Sequence, residues 1–319
     1  MFGISELKQN FKMFDNKHVF CPVLACGQIV DLQRETFKSE SQFFCPDHKI
    51  YISPSTFEYE RDEDNLLWTD IEDLDRLIKI KSVKRESRIK RDNSEDAVTW
   101  NVFRYLEKNN LLSQFLSPII GKPIITSELI LWSFSPQENA QWSWLNRARL
   151  EFGETISRGS EPDIIVLTDT DLFFIEAKFR SGNNTAPSDE TNTKKYKTGG
   201  VNWYHSVFKN PYQEVAVDSK KYELLRFWLL GTWIAKQIGL DFHLVNLVLK
   251  ERDKDIGELF GKHILQTGNR KFSRIEWEEI HSFIAGLSLS DPGTVEMINY
   301  FNNKSQGYDG NGNLQRAFS

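Results

Sequence analysis

Two acidic residues and a lysine lie at the ends of two short apolar runs. Asp163 directly precedes residues 164–167 (Ile-Ile-Val-Leu), and Glu176 and Lys178 follow residues 172–175 (Leu-Phe-Phe-Ile). Paired carboxylates supply the hard oxygen ligands that Mg²⁺ and Mn²⁺ bind, and an ammonium beside them can stabilise developing negative charge. If the two runs meet, this pattern indicates metal-assisted chemistry.

A β-hairpin would bring these three side chains together. Residues 168–171 (Thr-Asp-Thr-Asp) separate two runs of branched and aromatic residues, which favour strands. A tight turn centred on the middle two residues of this segment places Asp163 opposite Glu176, with Cβ atoms about 4.5–5.5 Å apart. Lys178 shares a strand face with Glu176, because side chains alternate along a strand. The two carboxylates would repel each other, and a divalent cation between them would remove that repulsion.

The setting of this hairpin has two interpretations. Neither run alternates with polar residues, which is typical of strands inside a sheet that is covered on both faces. An ordinary ion pair at a solvated hairpin base would use the same residue types, and short motifs match by accident.

The hairpin and its ends resemble the signature of a known family. Pro162-Asp163, a hairpin and Glu176-Ala177-Lys178 resemble the PD-(D/E)xK nuclease superfamily, whose fold is restriction-endonuclease-like. The resemblance covers roughly residues 90 to 250. The motif fixes few letters, so its context of strand, turn, strand and flanking helices strengthens it.

The resemblance implies metal-dependent hydrolysis of phosphodiester bonds in DNA, and it suggests a role in restriction or defence. Asp163, Glu176 and the Ala177 carbonyl would hold Mg²⁺ or Mn²⁺, and Lys178 would orient the attacking water or stabilise charge. Whether Lys178 acts as a base or as an electrostatic helper stays open. The superfamily often has a glutamate in the helix before the sheet, and Glu95 occupies that place.

Glu95 also has a purely structural explanation. Ser94 is a candidate N-cap, and Glu95 and Asp96 fill the first helical turn, where acidic side chains suit the helix dipole. Asp96 is the alternative to Glu95 as the functional acid.

A second motif lies in the first fifty residues, which contain all three cysteines. Cys21, Cys26, Cys45 and His48 form the pattern Cys-x4-Cys-x18-Cys-x2-His. Two ligand pairs on two turns are what a tetrahedral Zn²⁺ site needs, and the segment resembles a zinc ribbon with one cysteine replaced by histidine. Such a site is structural. The alternative is buried apolar cysteines and an unrelated histidine, and the Cys21–Cys26 gap is wider than the usual knuckle.

The order of elements predicts an α/β fold with a central mixed β-sheet flanked by helices. A helix begins after Ser94, a strand covers residues 128–134, and the hairpin follows. Residues 212–238 are periodic like a helix, and residues 242–249 form a further strand. Residues 251–287 read as two peripheral helices.

Charge divides the first third of the chain. Residues 58–75 are acidic and residues 79–91 are basic, which indicates either phosphate contacts or a solvated linker whose charges pair. The net charge of -5 argues against coating a polyanion over the whole surface, but one basic groove can be masked by acids elsewhere. We predict a zinc-ribbon-like β domain over residues 1–65, a charged linker over 66–93, a nuclease-like domain over 94–300 and a flexible tail over 301–319.

The chain has no segment typical of a membrane protein. Its first residues lack a basic n-region and an apolar h-region, and residues 227–235 are too short to span a bilayer. We therefore expect a cytoplasmic protein with reduced cysteines and no membrane partner. Double-strand cutting by a single site would favour a homodimer.

Two other functions are compatible with parts of the pattern. A catalytically inactive nuclease-like module could bind nucleic acid, although the presence of Asp163, Glu176 and Lys178 together argues against lost activity. A carboxylate-pair glycosidase is disfavoured by the lysine two residues after Glu176 and by the absence of a barrel-like repeat.

Overall fold

The computed structural model of the protein describes residues 6–34, 37–84, 86–188, 194–288 and 291–318, of which residues 194 and 195 are described by their backbone alone. The chain forms two compact units. The first contains Met1–Asp70, Arg88–Tyr105 and Ile280–Ser319, and the second contains Ile71–Ser87 and Leu106–Glu279.

Short strands come first along the chain, and helices and further strands follow them. In chain order, the strands are β1 (His18–Phe20), β2 (Ile29–Asp31), β3 (Phe44–Cys45), β4 (Ile50–Ile52), β5 (Phe57–Tyr59), β6 (Ser127–Leu131), β7 (Phe134–Ser135), β8 (Ala140–Gln141), β9 (Ile164–Thr168), β10 (Asp171–Lys178), β11 (Asp241–Val248), β12 (Arg270–Glu276), β13 (Ser305–Tyr308) and β14 (Leu314–Arg316). The α-helices are α1 (Ile71–Val83), α2 (Glu95–Lys108), α3 (Leu112–Ile120), α4 (Ser143–Glu151), α5 (Lys194–Asn202), α6 (Tyr204–Val207), α7 (Tyr222–Ile238), α8 (Ile256–Gly261), α9 (Trp277–Ala285) and α10 (Pro292–Asn303). A π-helical segment, Gln213–Asp218, precedes α7.

The second unit is built on a seven-stranded mixed sheet with the order β12-β11-β10-β9-β6-β7-β8. Strand β9 is antiparallel to β10 and β6, whereas β10, β11 and β12 run parallel. Parallel neighbours need a crossover connection, and α7 lies within the segment that joins β10 to β11. The prediction of an α/β protein with a mixed sheet flanked by helices is confirmed at this level.

The central hairpin follows the expected register. Ile164 pairs with Ile175 and Leu167 pairs with Leu172. Every residue of β10 is buried, because α7 packs on one face of the strand and residues such as Phe173 fill the other. Helix α7 also packs closely on the neighbouring strand β11 at Gly231, where an added Cβ would lie 2.1 Å from the Phe242 ring.

Three elements differ from expectation. Strand β6 ends at Leu131 because Trp132 and Ser133 have positive φ values of 45° and 72°, which is the two-residue turn into β7. The helix expected over residues 212–238 is interrupted, and α7 begins only at Tyr222. Residues 251–287 contain strand β12 between two helices, because its alternating polar residues suit a sheet edge.

The first unit contains several small antiparallel sheets. Strands β3, β4 and β5 form one sheet, β1 pairs with β2, and β13 pairs with β14. The expected flexible tail is instead this last hairpin, and Tyr308 donates a hydrogen bond of 3.0 Å to the Lys8 carbonyl. The Gly- and Asn-rich segment forms its turn, where Asp309 Oδ1 accepts from the backbone of Asn311 and Asn313.

The charged region also differs from a plain linker. It contains helix α1, in which Lys79 pairs with Asp75 at 2.8 Å. In the first unit Arg91 pairs with Glu58 at 2.6 Å. These contacts match the interpretation in which acidic and basic residues pair. Among the described helices, none combines the length and the apolar character needed to cross a bilayer.

Candidate active site and metal centre

The end of the β9–β10 hairpin brings the predicted acidic residues together. Asp163 lies one residue before β9, and continuing the register places it opposite Glu176. Asp163 Oδ2 accepts a hydrogen bond of 3.0 Å from the Ala177 backbone N–H. The Asp163 carbonyl accepts another of 3.0 Å from the Trp132 N–H in the β6–β7 turn. Both its backbone and its side chain are therefore held by neighbouring strands.

Pro162 explains why the hairpin opens at this point. It lies opposite Ala177 in the continued register, but a proline has no N–H with which to complete an antiparallel ladder. The N–H and the carbonyl of one strand residue point to the same edge, so the Ala177 carbonyl faces the gap into which Asp163 projects. The Asp163 carboxylate and the Ala177 carbonyl therefore both lie at the open end of the hairpin.

Glu176 is enclosed at this point, with 3% of its surface exposed. Burial raises the pKa of its carboxyl well above the ordinary value, and the negative charges of Asp163 and Glu223 raise it further. The Lys178 ammonium opposes these effects but does not cancel them. Negative charge is therefore concentrated at this end of the hairpin.

Lys178 contacts two carboxylates at once. It is ion-paired with Glu176 on its own strand, and its Nζ lies 3.0 Å from Glu223 Oε2 in the first turn of α7. Burial acts to raise the pKa of Glu223, but the charge and hydrogen bond of Lys178, a hydrogen bond with Glu176 and the charge of Arg226 together outweigh it, so the pKa is lowered. The sequence did not indicate Glu223 as a site residue, because the helix was expected to begin at residue 212. The structure has a π-helical segment there and begins α7 at Tyr222, so Glu223 lies in the first turn.

The segment after β10 holds the start of α7. The Tyr222 N–H donates a hydrogen bond of 3.0 Å to the Thr185 carbonyl. The Glu223 N–H donates one of 2.9 Å to Thr185 Oγ1. Two residues earlier, Asn183 donates to Asn246 Oδ1 on β11 at 3.0 Å. The first helical N–H groups are thus satisfied by the chain that leaves the candidate site. This arrangement fixes the position of Glu223 relative to the sheet.

Tyr222 and Arg226, which lie one turn apart in α7 on either side of Glu223, are engaged within the protein. The Arg226 guanidinium lies 4.6 Å from the Tyr222 ring centroid and 4.0 Å from Glu154 Oε1. The buried Tyr196 hydroxyl donates to Glu154 at 2.9 Å and lies 3.1 Å from the Tyr222 hydroxyl. Packing accounts for both residues.

Glu95 lies in the first unit, whereas the hairpin lies in the second. Ser94 Oγ accepts from Ala97 N at 3.1 Å, which confirms it as the N-cap of α2. Asp96 accepts from Arg88 N at 3.0 Å. The roles of Glu95 and Asp96 in catalysis stay predictions.

The predicted metal ligands of the first unit form one cluster. The ligand atoms of Cys21, Cys26, Cys45 and His48 all lie within 4.8 Å of one another. Cys26 Sγ is 3.9 Å from Cys45 Sγ, which in turn is 3.6 Å from His48 Nδ1. Tetrahedral bonds of about 2.3 Å to sulfur and 2.0–2.1 Å to nitrogen give edges of about 3.8 and 3.6 Å. The cluster could therefore bind a metal ion such as zinc.

The surroundings of the cluster fit a cation. All three thiols are buried, and burial raises the pKa of Cys21 and Cys45. A bound metal would supply the positive charge that stabilises thiolates at this depth. Lys8 Nζ donates to the carbonyls of Cys21 and Cys26 at 2.7 Å each, which fixes the first ligand turn.

The geometry thus defines two sites, one of carboxylates and an ammonium on a buried hairpin, and one of three thiols and an imidazole. Both lie where two pieces of backbone meet, and each is held by hydrogen bonds to neighbouring segments. Comparisons of the chain with protein-family models, with curated proteins and with solved structures found no match.

Proposed function

We propose that the protein is a metal-dependent nuclease of the PD-(D/E)xK type that hydrolyses phosphodiester bonds in DNA. One observation carries the proposal: Asp163, Glu176 and Lys178 meet at the open end of one hairpin, and Glu176 is buried among other carboxylates. A solvated ion pair would not place Glu176 at such depth. The restriction-endonuclease-like fold belongs to the same proposal, and it is supported by the antiparallel β6–β9–β10 set and the parallel β10–β11 pair.

The residues take distinct roles in this proposal. Asp163, Glu176 and the Ala177 carbonyl would hold Mg²⁺ or Mn²⁺, and such an ion would lower the pKa of a bound water and neutralise charge on the phosphate. Lys178 places an ammonium beside the reacting phosphate. Glu95 is included as a further acid on the family resemblance alone.

Zinc is proposed for the cluster of three cysteines and His48. Four protein ligands leave no open coordination position, so this metal would be structural. Because the strands around it are only two or three residues long, the metal would contribute much of the folding energy of this region.

The test is cleavage by the zinc-loaded full chain of plasmid, single-stranded and methylated DNA, with Mg²⁺ or Mn²⁺. Wild type is expected to nick or cut, and Asp163→Asn or Lys178→Met to abolish cutting. Asp169→Asn is the matched control, because Asp169 lies in the turn at the opposite end of the same hairpin. If all variants bind DNA equally and none cuts with any metal, the protein is instead an inactive nuclease-like binding module.

A further inference from the structure

Lys178 is shared between two carboxylates that come from different elements. Glu176 precedes it by two residues on β10, and Glu223 approaches from α7 with Oε2 3.0 Å from Nζ. The lysine side chain is largely buried, with 10% exposed. An ammonium at this depth needs a negative partner, because an unpaired buried charge is strongly destabilising.

The two carboxylates differ in what else they face. Glu176 lies opposite Asp163, so it is the one that would bind the cation of the proposed function. When its charge is committed to a divalent ion, it attracts the ammonium less, and the ion and the ammonium repel each other. Lys178 would then compete with the metal for Glu176 unless a second carboxylate holds it.

We propose that Glu223 is a positioning residue that keeps the Lys178 ammonium beside the site when Asp163 and Glu176 bind a divalent cation. This inference rests on the proposed function. Glu223 itself lies within hydrogen-bonding distance of Glu176, and it reduces the competition by giving the ammonium a second carboxylate partner. It leaves the Lys178 ammonium beside Glu176, on the strand that carries the metal ligands of the proposed function.

The structure gives Glu223 a fixed position from which to do this. Its backbone N–H is bonded to Thr185 Oγ1, and the segment of Thr185 is tied to β11 through the bond between Asn183 and Asn246. The segment that contains Thr185 follows β10 directly, and Asn246 lies on the neighbouring strand β11. The carboxylate therefore cannot drift away with a loose helix end.

The experiment is a double-mutant cycle on Mn²⁺ affinity, measured by calorimetry on the zinc-loaded full chain without DNA. The proteins are wild type, Glu223→Gln, Lys178→Met and the double variant. Glu223→Gln is expected to weaken Mn²⁺ binding about tenfold when Lys178 is present, because the ammonium then depends on Glu176. In the Lys178→Met background the same change is expected to weaken binding much less, since no ammonium competes and only the direct attraction of the Glu223 charge is lost.

Two controls accompany the cycle. Glu258→Gln removes an exposed first-turn glutamate of α8 and should leave Mn²⁺ affinity unchanged. Glu223→Asp retains an acid at the start of α7 but withdraws it from Nζ, so it should weaken binding in the same Lys178-dependent way. This second variant preserves the test if Glu223→Gln does not fold.

The outcomes separate the inference from the function beneath it. An equal loss of affinity in both backgrounds would mean that Glu223 acts directly on the cation, and no loss in either would mean that it does not act. Each result overturns the inference and leaves the nuclease proposal intact. If wild type and Asp163→Asn bind Mn²⁺ alike, the proposed metal site is absent and both fail.

Discussion

The Ala177 backbone N–H donates a hydrogen bond of 3.0 Å to Asp163 Oδ2, so a side-chain carboxylate takes part in the strand ladder where the hairpin opens. Pro162, one residue earlier, cannot donate in return. Because of these two features, Pro162 cannot close the ladder with the Ala177 carbonyl. The proline of the motif thus has a physical role of its own.

We predict that Pro162→Ala weakens metal binding. The new N–H would donate to the Ala177 carbonyl and close the ladder, which competes with a cation for that oxygen. We expect Mn²⁺ affinity to fall about tenfold. Calorimetry measures this, with Pro136→Ala in an exposed part of the β7–β8 connection as the control. Unchanged affinity in Pro162→Ala would show that the carbonyl is not a ligand.

Glu176 should make stability depend on pH when no Mg²⁺ or Mn²⁺ is present. Burial and neighbouring carboxylates raise its pKa in the folded state, whereas the unfolded value is about 4.3. Between these two values the folded state retains a proton that the unfolded state loses, so stability falls as pH rises through the window.

This pH dependence can be isolated with Glu176→Gln. Denaturant unfolding at a series of pH values above the unfolded pKa of about 4.3 should show wild type losing stability relative to the variant as pH rises. Adding Mn²⁺ should stabilise wild type and not Glu176→Gln. Parallel curves for the two proteins would contradict the raised pKa.

Lys304 should make the free energy of unfolding increase with pH in the alkaline range, which is the opposite of the effect of Glu176. Burial lowers its pKa from 10.5 to about 8, although the charge of buried Asp92 acts to raise it. Above the folded pKa the native lysine is neutral while the unfolded one still binds a proton, so stability rises with pH between about 8 and 10.5. The gain is at most on the order of 3 kcal/mol. In Lys304→Met this rise should be missing from denaturant unfolding curves.

Metal loss should destabilise the first unit. Cys45→Ser is expected to abolish stoichiometric zinc and to lower the free energy of unfolding by on the order of several kcal/mol. His18→Asn is the control, because His18 lies in the same region but contacts Asp15. Elemental analysis and thermal unfolding measure both effects. Full zinc content in Cys45→Ser would exclude the cluster as the binding site.

Local patterns predicted the hairpin and the grouping of Cys21, Cys26, Cys45 and His48. The turn after Leu167 and the apolar runs around it determine the register of β9 and β10 without help from distant residues. Likewise Cys45 and His48 lie on one short turn, and their spacing can be read directly from the sequence. Features of this kind are determined by residues close to them along the chain.

Features that depend on tertiary partners were missed. Strand β12 contains charged residues that resemble a solvated helix, and only its pairing with β11 makes it a strand. The position of Glu223 in a first helical turn depends on Lys220, whose φ of 52° is not helical and separates α7 from the preceding π-helical segment. The final hairpin was mistaken for a loose tail because glycine and asparagine also form tight turns.

That hairpin has a consequence for how the molecule is made. The bond from Tyr308 to Lys8 joins positions 300 residues apart, and both belong to the first unit. A ribosome adds about 5–20 residues per second, so the cysteine-rich segment waits many seconds for the strands that complete its surroundings. The sheet bearing Glu176 is fully synthesised before then. The cysteine-rich segment, although it is made before that sheet, is therefore completed after it.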